Sequence, residues 1–271
     1  MHIPKKPSQA PDHFSSIYGL GPVQSVHSVS AKNRWISAIF GVVLISGAGL
    51  AAIYGFYDTF VQVAKYGPVM LGKTIITPLI IAAVMFLFGV LATLSAYQNW
   101  DKSVVVYEKG LAYNDNSGLQ TWTWQEIEWL NISITKRYSN GIYTGTTYVY
   151  TLRKIDGARL VLDNKFYQIE MLGNFINKKV ASLQYEKLAL GLRSGQTITL
   201  GPVAINNNNI TMNKKTYAWN EIETVAIRSG FMRIKKKNGE WFSGTAAQVS
   251  AIPNLDALLA VVDQIVKIKT G

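Results

Sequence analysis

The 271-residue chain contains no cysteine, which excludes disulfides, thiolate nucleophiles and cysteine-bound metals. The lack also fits a reducing compartment. Histidine is scarce: His2, His13 and His27 all precede residue 30. They are scattered and have no carboxylate at ligand spacing, so no metal site is expected. The rest of the chain cannot supply a histidine-based triad. No glycine-rich phosphate loop of standard spacing is present, and no cofactor is expected. Lys5 and Lys6 are not followed by an apolar stretch, so no secretory signal is expected either.

Charge is also missing from two internal stretches. Residues 35–57 and 75–97 each run for 23 positions without Asp, Glu, Lys or Arg. At 1.5 Å per residue each helix would span about 34 Å, against a hydrocarbon core about 30 Å thick. Trp35, Tyr54, Tyr57, Tyr97 and Trp100 stand where an interfacial aromatic belt would place them. The expectation is a transmembrane hairpin within residues 34–100, preceded by a tail at 1–33. Gly47, Ala51 and Gly55, and on the second run Gly89 with Thr93 and Ala92 with Ala96, offer small surfaces for close packing. The linker at 58–74 is short, which favours packing within the hairpin, although the same residues suit a homodimer. Pro78 is expected in the first turn of the second helix. No carboxylate, His, Lys or Arg lies in either run, which argues against a transport path.

An even number of spans places both termini on one side. Lys32, Arg34, Lys102 and Lys109 flank the ends, against Lys65 and Lys73 in the linker. The positive-inside bias therefore predicts cytoplasmic termini and a multi-pass cell-membrane location.

What is present after residue 100 has a different period. Short runs rich in Val, Ile, Thr, Tyr and Trp alternate with turn residues, the pattern of consecutive antiparallel strands. A helical stripe follows, Ile169, Leu172, Phe175, Ile176, Val180 and Leu183, with Asp163 or Asn164 expected to cap it. Strand-like pieces then recur from 196 to 243. They are followed by a stripe of Leu255, Leu258, Leu259, Val262, Ile265 and Val266, with Asn254 as the expected cap. Trp124-Gln-Glu-Ile127 and Trp219-Asn-Glu-Ile222 are 95 residues apart, each after a short strand. A period this long suits two small domains, 101–192 and 193–271, rather than a solenoid.

The Trp-x-Glu-Ile element and Val105-Val-Tyr107-Glu-Lys-Gly110-Leu111 resemble elements of bacterial pleckstrin-homology-like (PH-like) domains. Ala251-Ile-Pro-Asn254-Leu resembles the end of an uncharacterised family of bacterial membrane proteins. The resemblance covers about residues 100–268 and implies an α+β fold: a membrane helical hairpin plus two tandem PH-like β-barrels, each closed by a C-terminal helix. It makes Trp124, Ile127, Trp219 and Ile222 the core of the repeat. Copy one departs from the pattern in its longer strands around Asn140-Gly141.

The chain carries a net charge of +11. Arg233, Lys235, Lys236 and Lys237 form its densest basic run, entering an Asn-Gly turn. Such a run is either a solvated hairpin tip or an anionic-phospholipid contact. Nucleic acid is not expected, because no stacking platform accompanies it. Glu126/Glu128 and Glu221/Glu223 read as rim or capping carboxylates, and no catalysis is expected. The sequence thus points to a membrane-anchored binding or scaffold module, its partners the bilayer, an unidentified protein and anionic lipid. The alternative is an accessory subunit of a transporter or envelope-stress complex.

Overall fold

The computed structural model describes residues 19–115, 117–237 and 245–270. They form an α+β protein with two long apolar helices and several antiparallel sheets, in two compact units. One unit is built on residues 28–104 with 113–120. The other comprises the described parts of 1–27, 105–112 and 121–271.

The first unit holds helix α1, Ala31–Tyr66, and helix α2, Leu71–Gln98, separated by Gly67 and a single 3-10 turn. Both expected spans lie inside these helices, but the linker expected at 58–74 is largely helical. Nothing from Asp58 to Tyr66 breaks a helix, so α1 continues until Gly67, at φ +87°, and Pro68. Because α2 starts at Leu71, Pro78 lies in the helix interior and not in its first turn. Its ring sits against Gly55, where a Cβ would come within 2.4 Å of the Pro78 Cβ.

The helices meet along small residues at seven-residue spacing, with Gly41, Ala48 and Gly55 of α1 and Ala82, Gly89 and Ala96 of α2 buried. Of the expected small residues, Gly55, Gly89 and Ala96 are buried in this seam, Thr93 lies against Gly41 and Gly47 against Met85. The outer faces are apolar and uncovered, Leu50 at 68% and Phe60 at 75% exposure. At about 54 Å and 42 Å, both helices are long and apolar enough to cross a membrane.

The strands, with the helices that follow them, form an internal repeat. Strands β1 (Val23–Ser28), β2 (Ser103–Tyr107), β3 (Gly110–Asp115) and β4 (Gly118–Thr123) lie side by side in chain order. Strands β5 (Ile127–Ser139), β6 (Ile142–Lys154) and β7 (Arg159–Asp163) form a separate antiparallel sheet, followed by helix α3 (Ile169–Arg193).

The layout then recurs. Strands β8 (Ile198–Leu200), β9 (Val203–Ile205), β10 (Asn209–Met212) and β11 (Lys215–Ala218) form one sheet. Strands β12 (Ile222–Arg228), β13 (Phe231–Lys236) and β14 (Ala246–Gln248) belong to another, followed by helix α4 (Leu255–Val262). Among the described residues no sheet closes on itself: each repeat divides its strands between two open sheets, and closed barrels are not formed.

Three strands lie where the sequence showed none, β14 at Ala246–Gln248 among them. β1 falls in the stretch read as tail, so the helical hairpin interrupts the first repeat between its first and second strands. A terminal strand β15, Ile268–Thr270, pairs parallel with β12. Room for it comes from a shorter α4. The apolar stripe predicted a helix reaching Val266, but α4 ends at Val262 and the chain turns back.

Of the expected caps, Asn254 holds the N-cap position of α4, whereas neither Asp163 nor Asn164 precedes α3 directly. Asp163 accepts the Lys165 N–H, and Asn164 bonds the backbone of Thr146 and Tyr148. The residue preceding α3 is Gln168, in a left-handed conformation. Asn254, also left-handed, makes no side-chain cap; its amide oxygen accepts the Leu130 N–H and its amide nitrogen donates to Glu128 O. The predicted 240–243 strand and the Asn238-Gly239 turn lie outside the described residues, as do His2 and His13.

The second repeat's core contains Met212, Ile222, Val225, Ile234 and Leu258, joined by Leu188 and Leu192 from the last turns of α3. The first half of α3 buries Leu172, Ile176 and Val180. One helix thus serves both repeats.

Candidate functional site

The Trp-x-Glu-Ile element forms a corner, and the two corners are built alike. Trp124 and Trp219 are buried, 3% and 9% exposed, with Ile127 and Ile222 beside them. Each tryptophan opens a 3-10 turn that leads into the next strand. The Trp124 indole N–H donates to Glu108 O and the Trp219 indole N–H to Asn206 O, both at 2.9 Å. At the first corner the turn is locked further, because the Glu126 carboxylate accepts the Thr123 N–H at 3.0 Å. That bond, with the Lys154 ammonium nearby, holds the Glu126 carboxyl below its ordinary range. The capping role expected for Glu126 is therefore observed.

This correspondence extends to the basic run. Lys154 pairs with Glu126 at 3.4 Å and lies over the Trp122 ring; Lys236 pairs with Glu221 at 3.3 Å and lies over Tyr217. Arg153 faces Glu128 at 3.8 Å, and Lys235 faces Glu223 at 2.7 Å. The Ile155 N–H donates to Glu126 O, and the Lys237 N–H to Glu221 O. Both strand pairs shift register at the same place, between Ile127 and Trp129 and between Ile222 and Thr224. Lys235 and Lys236 thus stand where Arg153 and Lys154 stand in the first copy, each facing a glutamate. Arg233 lies over the Phe231 ring. A lysine run is visible in sequence; its glutamate partners, 12 and 15 residues upstream, are not.

Two cavities flank β5. The outer one, about 520 Å³, lies on the β5–β6–β7 sheet face and is lined by Trp129, Asn131, Thr151, Arg153, Arg159 and Ser250 among others. Register sets its chemistry: Trp129 opposes Arg153, Asn131 opposes Thr151, and Arg153 opposes Arg159. The Arg153 guanidinium stacks on the Trp129 ring at 4.6 Å. The Asn131 amide donates to Ser250 O from the other repeat.

The inner cavity, about 450 Å³, is lined by Ile132, Ile134, Tyr150, Asn174, Ile227 and Asp256 among others. Burial pushes the Tyr150 phenol up to about 12, and its oxygen has no hydrogen-bond partner among the described residues. The ring is held against Gly173, where a Cβ would overlap it at 1.8 Å.

Sequence reasoning missed Trp129, Arg153, Arg159 and Tyr150. The every-second-residue runs Trp129-x-Asn131-x-Ser133 and Thr151-x-Arg153 mark polar strand faces, but only register brings them together.

His27 is the described histidine, buried in β1. Its Nδ1–H donates to Tyr167 O at 3.1 Å, so Nε2 accepts from the Ser25 hydroxyl at 3.0 Å. Burial lowers its basicity. Among the described residues no three His, Asp or Glu side chains cluster at metal-binding spacing.

No curated protein matches this sequence. A family model does, over residues 5–270, and the chain therefore belongs to the family of unknown function DUF6585.

Proposed function

We propose that this protein is a membrane-anchored binding module, with two PH-like repeats presenting ligand surfaces and an apolar hairpin fixing them at a bilayer. One observation carries the reading: the hairpin leaves and re-enters the chain between two neighbouring strands of the first repeat. Strands in two open sheets with a closing helix, found twice, support the PH-like layout. Binding is favoured over catalysis because the outer groove offers guanidinium, amide, hydroxyl and indole groups, with neither carboxylate nor imidazole in its lining. Its partners are the bilayer, protein at the exposed sheet faces, and anionic lipid.

The test is to excise residues 31–99 and bridge the gap with a short Gly-Ser turn. The Val29 N–H already bonds Lys102 O, so the cut ends are adjacent. The full chain should stay with membranes through an alkaline carbonate wash. The excised variant should be water-soluble and should melt cooperatively. Release of the full chain by carbonate would refute the anchor.

A further inference from the structure

We propose that the outer groove of the β5–β6–β7 sheet binds a phosphate group through Arg153 and Arg159. The proposal rests on the binding-module reading and names the ligand class for one of its surfaces.

The two arginines are direct cross-strand neighbours on one sheet face. Like charges placed opposite each other in this way destabilise a sheet pair. Among the described residues no carboxylate lies within ion-pairing distance of Arg159. Glu128 meets Arg153 at its Nε, at 3.8 Å, in an exposed pair of little strength. The nearby Asp156 carboxylate is used within its own turn, accepting the Ala158 N–H at 2.9 Å. Lys154, the next cation along β6, is engaged elsewhere by Glu126 and by Thr121 O.

The arrangement is also preorganised. Stacking on Trp129 fixes the plane of the Arg153 guanidinium, and Thr151 lies beside it with a hydroxyl. One carboxylate would satisfy one guanidinium fork. A phosphate monoester carries up to two charges and three terminal oxygens, enough to bridge both arginines. A cavity of about 520 Å³ leaves room for an organic substituent. Among the described residues the second repeat has no such site: Thr224 replaces Trp129 and is buried, its hydroxyl bonded to Lys267 O.

The phosphate could belong to a soluble ester or to a lipid headgroup, and the experiment separates them. Full-length protein in uncharged detergent is titrated by calorimetry with glycerol 3-phosphate and, separately, with dihexanoyl phosphatidic acid. The expected result is saturable binding, weakened about tenfold or more by Arg159→Gln and unchanged by Arg228→Gln. Arg159 is exposed, and a thermal melt confirms that the variant remains folded. Equal affinity for both probes assigns the site to the phosphate itself. Binding of the lipid alone, still sensitive to Arg159, assigns it to a headgroup. If neither probe binds, or if Arg159→Gln binds as tightly as the native chain, the proposal is wrong. Failure here leaves the carbonate-wash result untouched, so the anchor and the groove are judged separately.

Discussion

The equivalence of Trp124 and Trp219 predicts matched responses to matched damage. Trp→Phe at either position removes an indole N–H bonded to a backbone carbonyl at 2.9 Å, leaving Glu108 O or Asn206 O short of a donor. A hydrogen bond of this kind contributes about 1 kcal/mol net, and the smaller ring adds a modest packing loss. Trp→Ala empties the corner and should cost about 3–5 kcal/mol, a large share of a small domain's stability. The Trp124 ring also meets Phe175 of α3 at 6.3 Å, which favours the upper end of that range for the first copy. Thermal melts in detergent give the size of the effect, and amide hydrogen exchange gives its location. Trp219→Ala should release strands β8–β13 while the β5–β7 sheet stays protected, and Trp124→Ala should do the reverse. α3 is the one element expected to loosen in both. A cost below about 1 kcal/mol at either tryptophan, or loss of protection first in the unmutated repeat, would refute the equivalence.

Two further outcomes follow from single residues. His27 is held neutral by burial, below its ordinary value of 6.5, so the unfolded chain takes up a proton first as pH falls. Its contribution is complete above about pH 6.5 and is lost on acidification below it; the melting midpoint should fall between pH 7.5 and 5.5. In His27→Gln the His27-dependent part of that fall should vanish, and an unchanged pH profile would sink the assignment. In the hairpin, a Cβ at Gly89 would lie 2.7 Å from Ile45 Cγ1 and 3.0 Å from Gly41 O, whereas Gly49 faces open space. Gly89→Leu should therefore destabilise by about 1–3 kcal/mol in a detergent melt, and Gly49→Leu should be close to neutral.

The sequence exposes whatever is local and periodic. Two uncharged runs marked both helices, and alternation marked most strands, β2 at the bounds Ser103–Tyr107. The repeated Trp-x-Glu-Ile marked both corners. What it hid depends on long-range pairing. β1 is only six residues long and is separated from its neighbour β2 by the whole hairpin, so nothing adjacent in the chain announces it. β15 is three residues at the end of an apolar stripe that reads as more helix. Asn254 looks like a cap by position, yet its side chain is taken by Glu128 and Leu130, more than 120 residues away. The groove was hidden for the same reason, since Arg153 and Arg159 share a face only through the β6–β7 register.

The two copies differ most at one edge, and that difference accounts for where the groove lies. In the second repeat, β15 pairs with β12, and the Val225 N–H donates to Lys267 O. Leu130 is the counterpart of Val225, 95 residues earlier, and its N–H is taken instead by the Asn254 side chain, while Leu130 O accepts the Asn254 N–H. One left-handed asparagine thus does for β5 what a strand does for β12, and it covers only a short length of that edge. A strand along the edge is compatible with a small, buried Thr224; a single side chain leaves room for Trp129 in the same place. The indole then gives Arg153 a surface to stack on, and β7 brings Arg159 opposite. The structural duty kept in both copies is the corner with its Glu–Lys pair, which is why the lysine run of the second copy reads as architecture. Arg153 keeps the glutamate-facing place of Lys235, but its stacking on Trp129 and the opposing Arg159 belong to one copy alone, and that asymmetry is what favours this face for the proposed phosphate contact.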